Sequence, residues 1–374
     1  MKIIPIKNWF GDFESDPLII AGPCSAESEE QVMETAALLK ATYPPAVFRS
    51  GLWKPRTRPG SFNGIGHKGM RWLRKVKEEF GFRIAVEAAI PKHIEECLKG
   101  DVDIIWIGAR TSSNPYSIEE IAAVLKGVDI PVLVKNPLTP DIDLWIGAIE
   151  RIYSAGINKI AAVHRGFSPF ERTVYRNMPK WEIPIELRRR YRDLPVICDP
   201  SHISGDASLV PEVAQRAMDL NMSGLMIEVH YNPSEALSDS RQQLKPDAYS
   251  DLMNNLIIRK ARLDDPVIMD YLEELRDQVD SIDHQLIELL SRRMELSDLI
   301  GEHKCKNNMA VLQMERWLEI LKTRISQARK MKVGPNFTEN FLKLVHEESI
   351  RRQTEVMGKL RNKGKCSGDD SVDN

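Results

Sequence analysis

Phe48-Arg-Ser-Gly-Leu-Trp-Lys-Pro-Arg-Thr57 decides how the rest of the chain is read. Three cations, Arg49, Lys54 and Arg56, fall within eight residues. Ala46, Val47 and Phe48 read as the end of a buried strand. Gly51, Pro55 and the Pro59-Gly60 pair then turn the backbone into a loop. Cations on a loop at a strand end suit the holding of phosphates and carboxylates. A solvated surface turn is the plainer reading of the same ten residues.

The sequence on either side favours the first reading. Short apolar runs at 18–21, 46–48, 83–86, 103–107, 131–134, 159–163, 195–198 and 224–229 read as strands. Amphipathic stretches such as 29–41, 67–80, 118–125 and 210–220 read as helices between them. Continuous apolar strands alternating with helices predict a parallel sheet covered by helices. Eight such units over roughly 240 residues predict a closed (β/α)8 (TIM) barrel. A doubly wound open sheet is the alternative, weakened by the lack of Gly-x-Gly-x-x-Gly after the first strand.

Each predicted strand ends on a polar or reactive residue. In order these are Cys24, Arg49, Glu87, Arg110, Lys135, His164-Arg165, Asp199 with His202, and Glu228, with Asp239 in the last loop. In a barrel all eight ends share one face, which carries the active site. Cys24, His202, Glu228 and Asp239 offer a thiolate, an imidazole and two carboxylates, a set suited to a divalent Mn, Fe, Co or Zn ion. Arg49, Lys54, Arg56, Arg110, Lys135 and Arg165 form a second set, suited to substrates with several phosphates and carboxylates.

Composition narrows the class. Of 374 residues, 42% are hydrophobic and 28% charged, which predicts a folded, soluble protein. A net charge of -2 gives no reason to expect nucleic acid. The five scattered cysteines argue against a disulfide framework and fit a reducing cytoplasm. No signal-peptide core or membrane-spanning stretch is present in the sequence.

Gly22-Pro-Cys-Ser25, Phe48-Arg49, Lys54-Pro-Arg-Thr57, Gly108-Ala-Arg110, Lys135-Asn-Pro137, Asp199-Pro-Ser-His202 and Glu228-Val-His230 together resemble the 3-deoxy-D-arabino-heptulosonate 7-phosphate (DAHP) synthases. The likeness is to their short-core class, over about 17–260, without a separate N-terminal regulatory domain. Lys-Pro-Arg-Thr, rather than the Lys-Ala-Asn-Arg type of related arabinose 5-phosphate enzymes, favours erythrose 4-phosphate. The resemblance implies the phosphate of phosphoenolpyruvate between Arg110 and Arg165, and its carboxylate near Arg49, Lys54 and Lys135. It implies the erythrose 4-phosphate phosphate near Arg56 and Thr57, and Lys54 as proton donor. Cys24, His202, Glu228 and Asp239 would hold the metal, with Mn2+ ranked ahead of Fe2+, Co2+ and Zn2+. One departure stands out: His164 replaces the Glu that many relatives carry before Arg165.

The texture changes after 260. Barrel residues 1–261 are expected to give way to a linker, 262–268. From Pro266 to Lys306, Leu272, Leu275, Val279, Ile282, Leu286, Leu289, Leu296 and Ile300 recur at helical spacing. This predicts one helix of ~40 residues and ~60 Å, too long for a lone three-helix domain to cover. Helices over 313–331 and 336–357 follow, and the tail 358–374 reads as disordered. A coiled-coil dimerisation module is the plainer reading. Arg293 and Lys304, however, lie about 20° apart around the helix and ~16 Å along it, so they can share a dianion. Arg276, ~25 Å further back, could serve the site of an antiparallel partner.

Leu275-Arg276, Asp283, Arg292-Arg293-Met-Glu295, Gly301-Glu-His-Lys304, Arg316, Glu348-Ser349 and Gln353 resemble the all-helical chorismate mutases over 269–357. That family implies an intertwined homodimer, with higher oligomers left open. Arg293 and the partner chain's Arg276 would bind two carboxylates, and Lys304 and Gln353 would face the ether oxygen. Arg316 and the backbone near Gln313 would complete the pocket. Trp317 stands where relatives often have a Glu. The joint expectation is a cytoplasmic bifunctional enzyme making DAHP and converting chorismate to prephenate, with feedback through the helical domain. A synthase carrying a non-catalytic, ligand-sensing helical module is the alternative.

Overall fold

Eight short strands, β1 (Leu18–Gly22), β2 (Val47–Ser50), β3 (Arg83–Ala88), β4 (Ile104–Ile107), β5 (Val132–Lys135), β6 (Ile160–His164), β7 (Val196–Cys198) and β8 (Gly224–Glu228), pair in sequence order into a closed parallel barrel. Closure comes from β1, which pairs with β2 at Ile20–Val47 and with β8 at Leu18–Gly224. The computed structural model describes residues 1–11, 16–54, 60, 62–171, 173–259, 266–363 and 366. The chain divides into two units, Met1–Ala261 and Arg262–Asn374.

Side chains alternate along every strand, because successive residues of a strand face opposite sides. Leu18, Ile20, Val47, Ala85, Ile104, Trp106, Leu133, Ala161, Val163, Ile197 and Met226 fill the barrel interior. Ile19, Phe48, Ile84, Ile105, Val132, Ala162 and Leu225 point outward and pack against the helices. Ile6 and Trp9 join the inner cluster around a single turn at Ile6–Asn8. Each aliphatic chain so buried is worth roughly 1.5–3 kcal/mol relative to exposure.

The second unit is three helices, Pro266–Lys306, Met314–Lys330 and Pro335–Asn362. The first and third pack together, and the second packs on the third. Gly301 lets the first and third helices come close, since an added Cβ would stand 2.9 Å from the Gln353 Cα. Residues 270–289 of the long helix are exposed, including Val279, Ile282, Leu286 and Leu289.

One expectation needs correction. The last helix runs past 357 to Asn362, because Lys359, Leu360 and Arg361 are good helix formers that carry it through Gly358. Cys305 and Cys366 lie close together, with their Cα atoms 5.1 Å apart across a sequence separation of 61 residues. Cys24, Cys97 and Cys198 are free and buried.

Candidate active sites

The inward-facing stripe of the barrel changes chemistry at its C-terminal rim. Two residues beyond Val47, Ala85, Leu133, Val163, Ile197 and Met226 stand Arg49, Glu87, Lys135, Arg165, Asp199 and Glu228. A step of two keeps the side chain on the same face, so all six turn into the barrel mouth. On β1 the same step is Gly22, with φ at +149°. A Cβ there would stand 2.2 Å from the Arg49 carbonyl oxygen, so only glycine lets the two strands approach.

Cys24 follows, its amide donating to Gln243 Oε1 at 3.0 Å. Ligand atoms of Cys24, Glu228 and Asp239 all lie within 4.8 Å of one another. His202 stands beside them, with Nε2 3.8 Å from Asp239 Oδ2 and Nδ1 3.8 Å from Glu228 Oε1. Asp199 sets this ring: its carboxylate accepts from the His202 backbone N–H at 3.0 Å and meets Nδ1 at 2.9 Å. That leaves Nε2 directed to the Asp239 side, the arrangement that orients a metal-binding histidine. Asp239 has φ at 49°, a conformation an Asp tolerates at some cost in strain.

This donor set of one thiol, one imidazole and two carboxylates fits a divalent transition metal. Burial, reinforced by Glu228, pushes the Cys24 thiol up, so the thiolate needs a cation to form. Lys54 donates to Cys24 Sγ at 3.0 Å.

The cations converge on the same mouth. Arg49, 1% exposed, pairs with Glu228 at 3.2 Å and lies 4.9 Å over the Trp106 ring. Among the described residues, its Nε and Nη1 are buried without hydrogen-bond partners. Lys135 Nζ donates to Asp199 at 2.6 Å. Arg165 donates to the neutral Asn177 side chain at 2.7 Å and to the Gly166 carbonyl at 3.3 Å. Burial first, then the charges of Arg176 and Arg110, bring Arg165 down to about 10. Arg110, in the helix Ala109–Ser112, lines the same cleft as Lys54, Glu87 and Lys135. Buried N–H groups without acceptors are costly, so this mouth favours an anionic ligand.

In the helical unit, Arg293 donates to Ser349 Oγ and to the Val345 carbonyl at 3.4 Å. Lys304 donates to Gln353 Oε1 at 3.1 Å and to the Val311 carbonyl at 2.6 Å. Burial lowers both cations' proton affinity. Trp317 stacks on His346, with centroids 3.9 Å apart and planes 4° from parallel.

Residues 10–260 match the family model described as DAHP synthetase I family, and 275–354 match chorismate mutase type II. The chain belongs to the DAHP synthetase I family. It is a two-part enzyme, a DAHP synthase barrel followed in sequence by a chorismate mutase domain. A relative in Thermotoga maritima, phospho-2-dehydro-3-deoxyheptonate aldolase, is 35% identical over 64% of this chain and 68% of its own length. A crystal structure of the T. maritima DAHP synthase superposes with a TM-score of 0.57 at 34% identity, covering 63% of this chain and 67% of that one. The 2-dehydro-3-deoxyphosphooctonate aldolase of Vesicomyosocius okutanii is 28% identical over 64% of this chain and 88% of its own length.

Against the expectations for a DAHP synthase, the mouth brings together Cys24, His202, Glu228 and Asp239 with Arg49, Lys54, Arg110, Lys135 and Arg165. Arg56 and Thr57 lie outside the described residues. His164 is not at the mouth. It is out of phase with the inner stripe and sits, fully buried, against Trp145, Phe167 and Trp181. In the mutase domain Arg293, Lys304 and Gln353 come together, whereas Arg276, Gln313 and Arg316 are exposed. Arg276 and Arg316 pair with Glu273 and Glu319 on their own helices.

The sequence reading missed Arg176 and Asn177. Arg176 donates to Asp239 Oδ1 at 3.1 Å and to Gln242 Oε1 at 2.6 Å, while Gln242 donates to Glu228 Oε2 at 2.7 Å. Asn177 joins Arg165 to the His202 carbonyl, 2.6 Å away. Both sit in a long loop between β6 and the next helix, where strand-end reasoning has no purchase.

Proposed function

We propose that the barrel, domain 1–261, condenses phosphoenolpyruvate with erythrose 4-phosphate to DAHP and phosphate in a divalent-metal-dependent aldol-type reaction. The observation that carries this is the convergence of Cys24, His202, Glu228 and Asp239 beside a mouth lined with cations. A bound divalent ion, Mn2+ ahead of Fe2+, Co2+ or Zn2+, would supply Lewis-acid polarisation of the aldehyde. Arg165 and Arg110 take the phosphate of phosphoenolpyruvate, and Arg49, Lys54 and Lys135 its carboxylate. Arg56 and Thr57 hold the phosphate of the sugar. C3 of phosphoenolpyruvate bonds to the aldehyde carbon, Lys54 gives a proton to the alkoxide, water adds at C2 and phosphate leaves. Lys54 Nζ lies 3.0 Å from Cys24 Sγ, beside the proposed metal ligands, which supports that role.

The helical domain, 269–357 behind the linker 262–268, rearranges chorismate to prephenate. Arg293, Lys304 and Gln353 act with Arg276 of a partner chain, and Arg316 and the backbone near Gln313 close the pocket. The reaction is intramolecular, so aimed charge on a compact conformer suffices. An intertwined homodimer would cover the exposed apolar residues of 270–289, a face too apolar for a free helix. Chorismate or prephenate bound to the helical domain inhibits the barrel. The three buried free thiols fit a cytoplasmic site of action, and no helix is long and apolar enough to cross a membrane.

One purified sample assayed for both reactions tests the proposal. Turnover of erythrose 4-phosphate and of chorismate is expected, the first lost with a chelator and slowed by prephenate. Condensation without mutase turnover would favour the sensing-module reading, for which the Trp317 departure speaks. Turnover of arabinose 5-phosphate instead would place the barrel with the phosphooctonate aldolases.

A further inference from the structure

Chorismate presents four polar features: two carboxylates, an ether oxygen and a ring hydroxyl. Arg293 and Lys304, with the partner chain's Arg276, account for the first three under the mutase reading, on which this inference rests. The polar groups of the third helix that face them are largely committed. Ser349 Oγ accepts from Arg293 and donates to the Val345 carbonyl at 2.7 Å. Gln353 Oε1 accepts from Lys304. His346 differs: among the described residues of this unit, its Nε2 is the one buried side-chain nitrogen or oxygen without a hydrogen-bond partner.

His346, Ser349 and Gln353 follow one another at i, i+3 and i+7, so they share a helix face. Arg293 and Lys304 lie near enough to press the imidazole below its usual value, after burial as the larger cause. A neutral ring keeps one lone pair, and on Nε2 that lone pair can accept from a hydroxyl. The flat stack on Trp317 fixes the ring plane. Trp317, the departure in the sequence, therefore holds a histidine in place rather than leaving the pocket without a polar group.

We infer that His346 contacts the ring hydroxyl of chorismate through Nε2, clamped in that pose by Trp317, and so is a specificity-determining residue of the mutase site. The test uses the full chain with chorismate and its 4-O-methyl ether. No turnover of chorismate by the unaltered protein ends the mutase reading and this inference together. Given turnover, His346→Phe keeps the stack and bulk but removes the nitrogens. It should lower kcat/KM for chorismate by about tenfold, the range of one lost hydrogen bond, and leave the methyl ether within about twofold. His346→Gln, whose side-chain oxygen can accept from the hydroxyl, should restore most of the preference for chorismate. Equal losses on both substrates, no loss on chorismate, or a folded Gln variant without the preference would each overturn the role of His346 while leaving the mutase reading intact.

Discussion

In the barrel mouth Arg49 and Lys135 each face a carboxylate, Glu228 and Asp199. In the helical pocket Arg293 and Lys304 face a hydroxyl, an amide and two carbonyls. Burial opposes the charge on Arg49 and Lys54, yet Glu228 and the other anionic groups around them hold both above their usual values. In the pocket burial acts alone, and both cations fall. A mouth that neutralises its own charges can stay formed without a ligand. A pocket that leaves its cations uncompensated would need an anion to complete it. Arg165 falls although Asp199 opposes the shift, because burial and the charges of Arg176 and Arg110 outweigh that carboxylate.

The comparison can be broken from either side. The largest effect is expected for Cys24→Ala. Mn2+ binding, read by calorimetric titration, should weaken by more than about 100-fold, the upper end for loss of a mere supporting group. Condensation should vanish while chorismate turnover stays. Normal metal-dependent condensation would remove Cys24 from the ligand set. Lys304→Ala should cost the mutase reaction about 10²–10³ in kcat, as for loss of one aimed donor. Condensation measured on the same sample should hold. A loss in both reactions would show a folding defect and not a lost charge.

Much of this was legible because parity in a strand is a strict rule. The step of two from an apolar inner residue predicts Arg49, Glu87, Lys135, Arg165, Asp199 and Glu228 at the mouth, and the same rule removes His164. Arg176 and Asn177 were not legible, since a long loop has no period and its path is fixed by bonds from Arg176 and Asn177 to the carbonyls of Ser204 and Ile203. His346 could have been found from its i, i+3, i+7 relation to Ser349 and Gln353.

Two smaller effects sharpen the account. Arg176→Met should weaken Mn2+ binding by about 10–100-fold, the usual cost of losing a group that orients ligands. Unchanged affinity would reduce Arg176 to a loop tie. His164→Phe should move condensation kcat/KM by less than about twofold, because a buried ring facing the helices bears on packing alone. A large loss there would return His164 to the chemistry.

Diffraction from crystals equilibrated with Mn2+, collected at the manganese absorption edge, tests the central claim most directly. One anomalous peak is expected within bonding distance of Cys24 Sγ, His202 Nε2 and a carboxylate oxygen of both Glu228 and Asp239. A peak held by other residues, or none at saturating Mn2+, would contradict it.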